Sequence, residues 1–253
     1  MSENKAKVLL IVEGAKTDKK LMKKLFDIYG ISATHSIVSY NTNIYTLYKK
    51  MFEDNAPEDM DIQNVLLSSL KEEDPHNADS IKILKDNYSD IILIFDLDPQ
   101  DPEFSREHIE QMQDYFSEST DMGKLYINYP MVEAFYHMGV IPDETFYERI
   151  VNAEDIPDYK TTVSNETVKH DYRKFAVDKS ECDHVIKQNI AKAYMLINNR
   201  IALDTKVHYN DIADKESDIL KFQLNELETH SFIYVLCCCV FYICSYNPKL
   251  VYD

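Results

Sequence analysis

The stretch IILIFDLDPQD, Ile91 to Asp101, decides the fold. A short unbroken run of branched aliphatics closed by polar residues reads as a central strand of a sheet covered on both faces. Its acids therefore fall at the strand's carboxyl end. Side chains two apart on a strand share a face, which directs Asp96 and Asp98 together into the crevice where open α/β sheets bind ligands. Pro99 has no amide hydrogen and ends the ladder. Two carboxylates held close together repel each other, and a divalent cation with oxygen ligands relieves that repulsion. The competing reading is an ordinary acidic turn, since Asp is a common turn former.

A second acid-terminated strand weighs on the side of a metal. Lys7 to Val12 (KVLLIV) is another continuous apolar run, and it leads directly into Glu13-Gly14. Gly14 supplies a turn without a Cβ, and Thr17 is placed to cap a helix from about Asp18 to Tyr29. In a doubly wound sheet two such strand ends can be neighbours, which would bring Glu13 against Asp96 and Asp98.

Three segments, Ile11-Val12-Glu13-Gly14-Ala15-Lys16-Thr17-Asp18, Phe95-Asp96-Leu97-Asp98 and Asn128-Tyr129-Pro130-Met131-Val132-Glu133, resemble the Toprim fold, and within it the RloB-like and related stand-alone nucleases of bacterial phage defence. The resemblance covers about the first 140 residues. It implies a metal site built from Glu13, Asp96 and Asp98, holding Mg²⁺ or Mn²⁺, with Glu133 as a further ligand. It also implies a nuclease that works beside a separate ATPase sensor chain. The chain departs from the pattern at Asn128-Tyr129-Pro130, which only approximates Ser-Asn-Pro, and at Gln100, where other Toprim proteins often carry an acid; whether Asp101 substitutes is open.

Strands and helices alternate along the first half: a strand over Thr34 to Ser39, helices over Ile44 to Phe52, Ile62 to Leu70 and Asp79 to Tyr88, then the organising strand. Beyond it come a helix capped by Ser105, a strand over Lys124 to Asn128, and a helix opened by Pro130 and running through Met138. The expected class is α/β, a Toprim-like mostly parallel sheet flanked by helices with a C-terminal α-helical addition. Residues 1–140 would form the metal-binding domain and 141–253 a mainly helical region packed on it. Glu133 falls in the first turn of its helix, where an acid either complements the helix dipole or serves as a ligand.

Tyr159-Lys160 and Lys169-His170-Asp171-Tyr172-Arg173-Lys174 form the one basic, aromatic-interleaved stretch of an acidic chain. Lys160, Lys169, Arg173 and Lys174 are thus the candidates for phosphate contact, with Tyr172 placed to stack on a base; a solvated helix face is the alternative. In the RloB-like pattern a Tyr-Lys pair follows the Glu segment, which implies a catalytic part for Lys160. The last three helices are expected over Asp183 to Leu203, Asp211 to Glu228 and Ser231 to Tyr246, the last apolar all round and buried.

The net charge of −17 over 253 residues excludes a protein that holds nucleic acid through its overall field. Local basic patches, the metal itself or a basic partner would have to supply phosphate contacts. Five cysteines, an odd number without a Cys-x-x-Cys pair, fit buried thiols in a reducing cytoplasm rather than a disulfide framework. The polar start of the chain carries no signal peptide, and the apolar run Phe232 to Cys244 is shorter than the roughly 20 residues that span a bilayer. The expected function is a cytoplasmic, metal-dependent nuclease acting on DNA or RNA, tRNA included, with no membrane partner and with a homo-oligomer left open. A haloacid-dehalogenase-like phosphatase or an Asp-x-Asp glycosyltransferase would use Asp96 and Asp98 but leaves Glu13-Gly14 unexplained. A non-catalytic interaction protein retaining the acids for partner binding is the third reading.

Overall fold

The structure, a computed structural model, describes residues 7–53, 56–74, 76–120, 122–198 and 206–252. The polar start before Lys7 and the expected helix end at Leu203 lie outside the described residues.

Strands β1 (Val8–Val12), β2 (His35–Ser39), β3 (Asp90–Asp96), β4 (Ser117–Glu118) and β5 (Gly123–Asn128) form one five-stranded sheet in the order β2-β1-β3-β5-β4. β1 pairs in parallel with β2, from Val8–His35 to Val12–Ser39, and with β3, from Val8–Asp90 to Val12–Ile94. The short β4 runs antiparallel to β5. All five residues of β1 and six of the seven in β3 are buried, as a strand covered on both faces requires. Helices α1 (Thr17–Tyr29), α2 (Ile44–Tyr48), α3 (Ile62–Glu73), α4 (Ala78–Leu84) and α5 (Arg106–Tyr115) punctuate the strands, so the class is α/β with a mostly parallel sheet flanked by helices.

The chain divides into two compact units, Met1–Phe95 with Glu107–Tyr126 and Asp96–Arg106 with Ile127–Asp253. In the first unit α1 turns Leu21, Met22, Leu25 and Phe26 inward, and Gly30 at φ 69° closes it with its amide on the Asp27 carbonyl. Lys16, not Thr17, stands at the N-cap, and it makes no side-chain cap bond. Asn43 caps α2 by accepting from the Thr46 amide at 2.9 Å; what was expected as one helix to Phe52 changes after Tyr48 into a π turn over Lys49–Glu53.

The second unit carries β6 (Ile150–Asn152), α6 (Tyr159–Glu166), α7 (Lys179–Asn198), α8 (Glu216–His230), β7 (Phe232–Tyr234), α9 (Phe241–Tyr246) and α10 (Lys249–Tyr252). Two expected helices are corrected here. Pro130 does not open an α-helix: Tyr129-Pro130 is cis, and only a 3-10 segment forms, over Val132–Tyr136. The Tyr136 carbonyl accepts from the Thr167 hydroxyl and the Met138 carbonyl from the Val168 amide, so the acceptors a longer helix would use are taken from outside. Ser231 to Tyr246 is likewise not one helix. Its β-branched and aromatic start becomes β7, antiparallel to β6, and helical geometry begins only at Cys238. Val235 to Cys244 are all buried, and the five cysteines are free thiols.

Lys192, on α7, has no exposed surface; its ammonium donates to the carbonyls of Phe146 at 2.7 Å and Arg149 at 2.8 Å, and it lies 4.5 Å from the Phe146 ring centre. Among the described residues no helix is long and apolar enough to cross a membrane.

Candidate functional site

In the first unit, Glu13 is held by the strands on either side of it. Its amide donates to the Ile94 carbonyl at 3.1 Å, and its carbonyl accepts from Asn41 at 2.9 Å. The following Gly14 is required by a close approach, because a Cβ there would stand 2.5 Å from the Asp18 Oδ2. Asp18 thus folds back over the loop and is only 5% exposed. An acid in the first turn of a helix ordinarily reads as a dipole partner, so nothing in the sequence alone singled it out.

In the second unit, Asp96 ends β3 and is buried, with Asn128 Nδ2 donating to its Oδ1 at 3.1 Å. Asn128 is itself fully buried at the end of β5; its Oδ1 accepts from the Cys239 amide at 3.2 Å and its carbonyl from the Leu97 amide at 3.1 Å. One amide side chain therefore ties the strand-end acid to the cysteine segment. The alternation of a strand stops at Asp96, and Asp98 lies in the turn beyond it at φ 39°, its amide 3.4 Å from the Pro130 carbonyl. Gln100 Nε2 donates to Asp98 Oδ1 at 3.2 Å, while Asp101 accepts from the Glu103 amide at 2.8 Å and shapes the same turn.

Asp98, Glu133 and Lys160 form an electrostatic group. Burial pushes the Asp98 carboxyl above its ordinary value, with the Gln100 bond and the Lys160 charge pulling the other way. Burial also raises Glu133, Lys160 again opposing and Asp98 adding to the rise. Glu133 is 4% exposed, and its Oε2 has no hydrogen-bond partner. A buried carboxylate oxygen left unmatched is expensive, and a bound water or ion would satisfy it. Lys160, on α6, is exposed, and its charge lowers the pKa of both acids.

The basic segment follows α6. Tyr172 donates to the Lys160 carbonyl at 3.2 Å and packs its ring 4.7 Å from that of Tyr136, so its face is already covered by a protein ring. Arg173 and Lys174 are engaged by Asp171, at 2.9 Å and 3.5 Å, whereas Lys169 is exposed at a left-handed φ of 56°.

The structure thus brings Asp98, Glu133 and Lys160 into mutual reach, fixes Asp96 through Asn128, and places Glu13 in the first unit at the end of β1. Among the described residues no three His, Cys, Asp or Glu side chains are gathered tightly enough to hold one ion. The donor chemistry nevertheless suits a hard divalent cation: carboxylate oxygens, one of them orphaned, on two acids whose pKa values burial raises. Comparison of the chain with protein-family models, with curated proteins and with solved structures finds no match in any of the three.

Proposed function

We propose that this chain is a metal-dependent nuclease of the Toprim type, an effector of phage defence that cleaves phosphodiester bonds and acts with an ATPase partner. The observation that carries the reading is the unmatched Oε2 of buried Glu133 beside Asp98 and Lys160. Asp96, Asp98 and Glu133 would hold Mg²⁺ or Mn²⁺. When bound, that ion would neutralise charge at the scissile phosphate and lower the pKa of the attacking water, so that it gives up a proton and becomes nucleophilic.

The chain's own groups account for the rest. Asn128 fixes the rotamer of Asp96, so that its second oxygen keeps one direction. Lys160, an ammonium on an exposed stem, steadies the charge that grows on the phosphate oxygens as the bond breaks. It also favours the ionised forms of Asp98 and Glu133, the forms able to ligate. Lys169 is an exposed cation of the following segment and would track the backbone of the nucleic acid. Five free thiols support a reducing compartment for this work.

The test is a panel of DNA and RNA, tRNA included, incubated with the protein in Mg²⁺, in Mn²⁺ and in EDTA, with a Mn²⁺ titration alongside. Cleavage that needs the metal and disappears in Glu133→Gln supports the proposal. Metal binding without cleavage of any substrate would favour a binding protein, and cleavage undiminished in EDTA would remove the acids from the chemistry.

A further inference from the structure

The first unit contains a second feature that the nuclease reading does not use. A cavity of about 840 Å³ opens between α1 and α4 along the amino-terminal half of β2. Its size lies within the roughly 300–1,000 Å³ that small-molecule sites occupy. β1 and β2 run parallel with Val8 opposite His35 and Val12 opposite Ser39, so the cavity, lined by His35, Ser36 and Ile37, sits at the end of the strand pair remote from Glu13.

Its walls are cationic in a chain that is strongly anionic overall. Lys19 and Lys23, one helical turn apart on α1, form one side; Lys82 on α4 and Lys85 just after it form the other. None of these four ammonium groups makes a hydrogen bond or an ion pair among the described residues. Three carboxylates also line the cavity, yet two already have other partners. Asp27 accepts from the Ser32 hydroxyl at 2.5 Å, and Asp86 pairs with Lys7 at 2.6 Å. The third, Asp79, stands in the first turn of α4, where the helix dipole holds an acid.

Aromatic side chains line the floor. The part-exposed His35 ring lies 4.5 Å from the buried Phe26 ring, tilted at 49°, and the part-exposed Tyr88 donates its hydroxyl to the Ile83 carbonyl at 3.0 Å. His35 Nδ1 is 2.8 Å from the Ile31 carbonyl, and burial lowers the ring's pKa, so the imidazole stays neutral and serves as surface rather than charge. Opposed unpaired ammonium groups select several negative charges on one ligand, and the His35 and Tyr88 rings beside them favour a ligand that carries a ring.

We propose that this cavity binds a nucleoside polyphosphate, its phosphates between the α1 and α4 lysines and its base against His35 and Tyr88. The site is independent of the acidic centre and needs no metal to form.

Calorimetric titration of the full chain in EDTA tests it, with ATP, inorganic tripolyphosphate and adenosine as the three probes. EDTA removes any route by which phosphate could be held through a cation on the carboxylates. ATP should bind, tripolyphosphate more weakly, and adenosine least, with ATP affinity falling as salt is raised. The double variant Lys23→Gln/Lys82→Gln, one lysine from each wall, should weaken ATP by about tenfold or more, as loss of charge-assisted contacts does. Lys23→Arg/Lys82→Arg should retain most of the affinity, and Lys221→Gln, on exposed α8, all of it. A melt without ligand checks that each variant is folded. Absence of ATP binding at millimolar concentration, or equal loss in the Lys221 control, overturns the site. Equal affinity for ATP and tripolyphosphate overturns the nucleoside and leaves no role for the ring floor.

Discussion

Asn128 holds Asp96 by one end of its amide and the Cys239 backbone by the other, at 3.1 Å and 3.2 Å, without any exposed surface of its own. Asn128→Asp keeps the oxygen that Cys239 needs but replaces the donor facing Asp96 with a second acid. Two carboxyls in contact cannot both ionise, so one pKa of the pair rises. The variant should lose about 1–3 kcal/mol near neutral pH, the usual cost of a buried polar group that loses its partner. The loss should shrink as pH falls through that raised pKa, when one acid becomes the donor. Urea melts from pH 5 to 8 measure it, and a pH-independent loss would assign Asn128 a packing role only.

Glu133→Gln and Asp98→Asn should abolish cleavage while leaving stability equal or greater. Both native carboxyls are raised above their ordinary values of 4.5 and 3.8, so the folded state resists their ionisation. For an acid raised on folding, stability is greatest below the unfolded pKa and declines as pH climbs to the folded one. The advantage of the Gln variant over the native chain should therefore open above about pH 4.5 and level off once native Glu133 is ionised. Saturating Mn²⁺ should close the gap by stabilising only the native chain.

Lys160→Ala should slow cleavage by about 10²–10³-fold, the usual size for removal of one charge-stabilising group, with the Mn²⁺ titration little changed. Because Lys160 lowers the pKa of both Asp98 and Glu133, its loss should also move the acidic limb of the pH–rate profile upward. Lys160→Arg should restore the limb. A uniform drop in rate with the limb unmoved would separate Lys160 from the acids.

Lys192→Ala should cost about 2 kcal/mol or more, chiefly through the cavity it opens beneath Phe146, since the Phe146 and Arg149 carbonyls each lose one donor but keep the Arg149 and Val235 amides. Lys192→Met refills the space but not the bonds and should recover only part of that. Thermal melts of the pair check it.

The five cysteines should react with a thiol reagent only in denaturant. All are buried, and burial holds the Cys238 thiol well above the ordinary range and Cys244 at about 12, far from the reactive thiolate. Rapid labelling of the native chain would show that the segment opens.

The strands that carry the acids were legible because β1 and β3 are unbroken apolar runs ending in acid, a pattern local enough to read by eye. The segment after Pro130 was not, because Thr167 and Val168 take its carbonyls from some thirty residues away in sequence. β7 was hidden inside an apolar run that suits a strand and a buried helix equally, and only β6 decides between them. The lysine-walled cavity was invisible for the same reason: Lys19 and Lys23 meet Lys82 and Lys85 only after folding, whereas the basic run near Lys169 was conspicuous because its charges are contiguous, and Asp171 offsets two of them.

The division between the units falls inside strands, at Phe95–Asp96 and Tyr126–Ile127, and again at Arg106–Glu107. The acidic turn is therefore encoded in the middle of one unit's gene segment while it folds with the other. No single cut in the chain releases either unit whole.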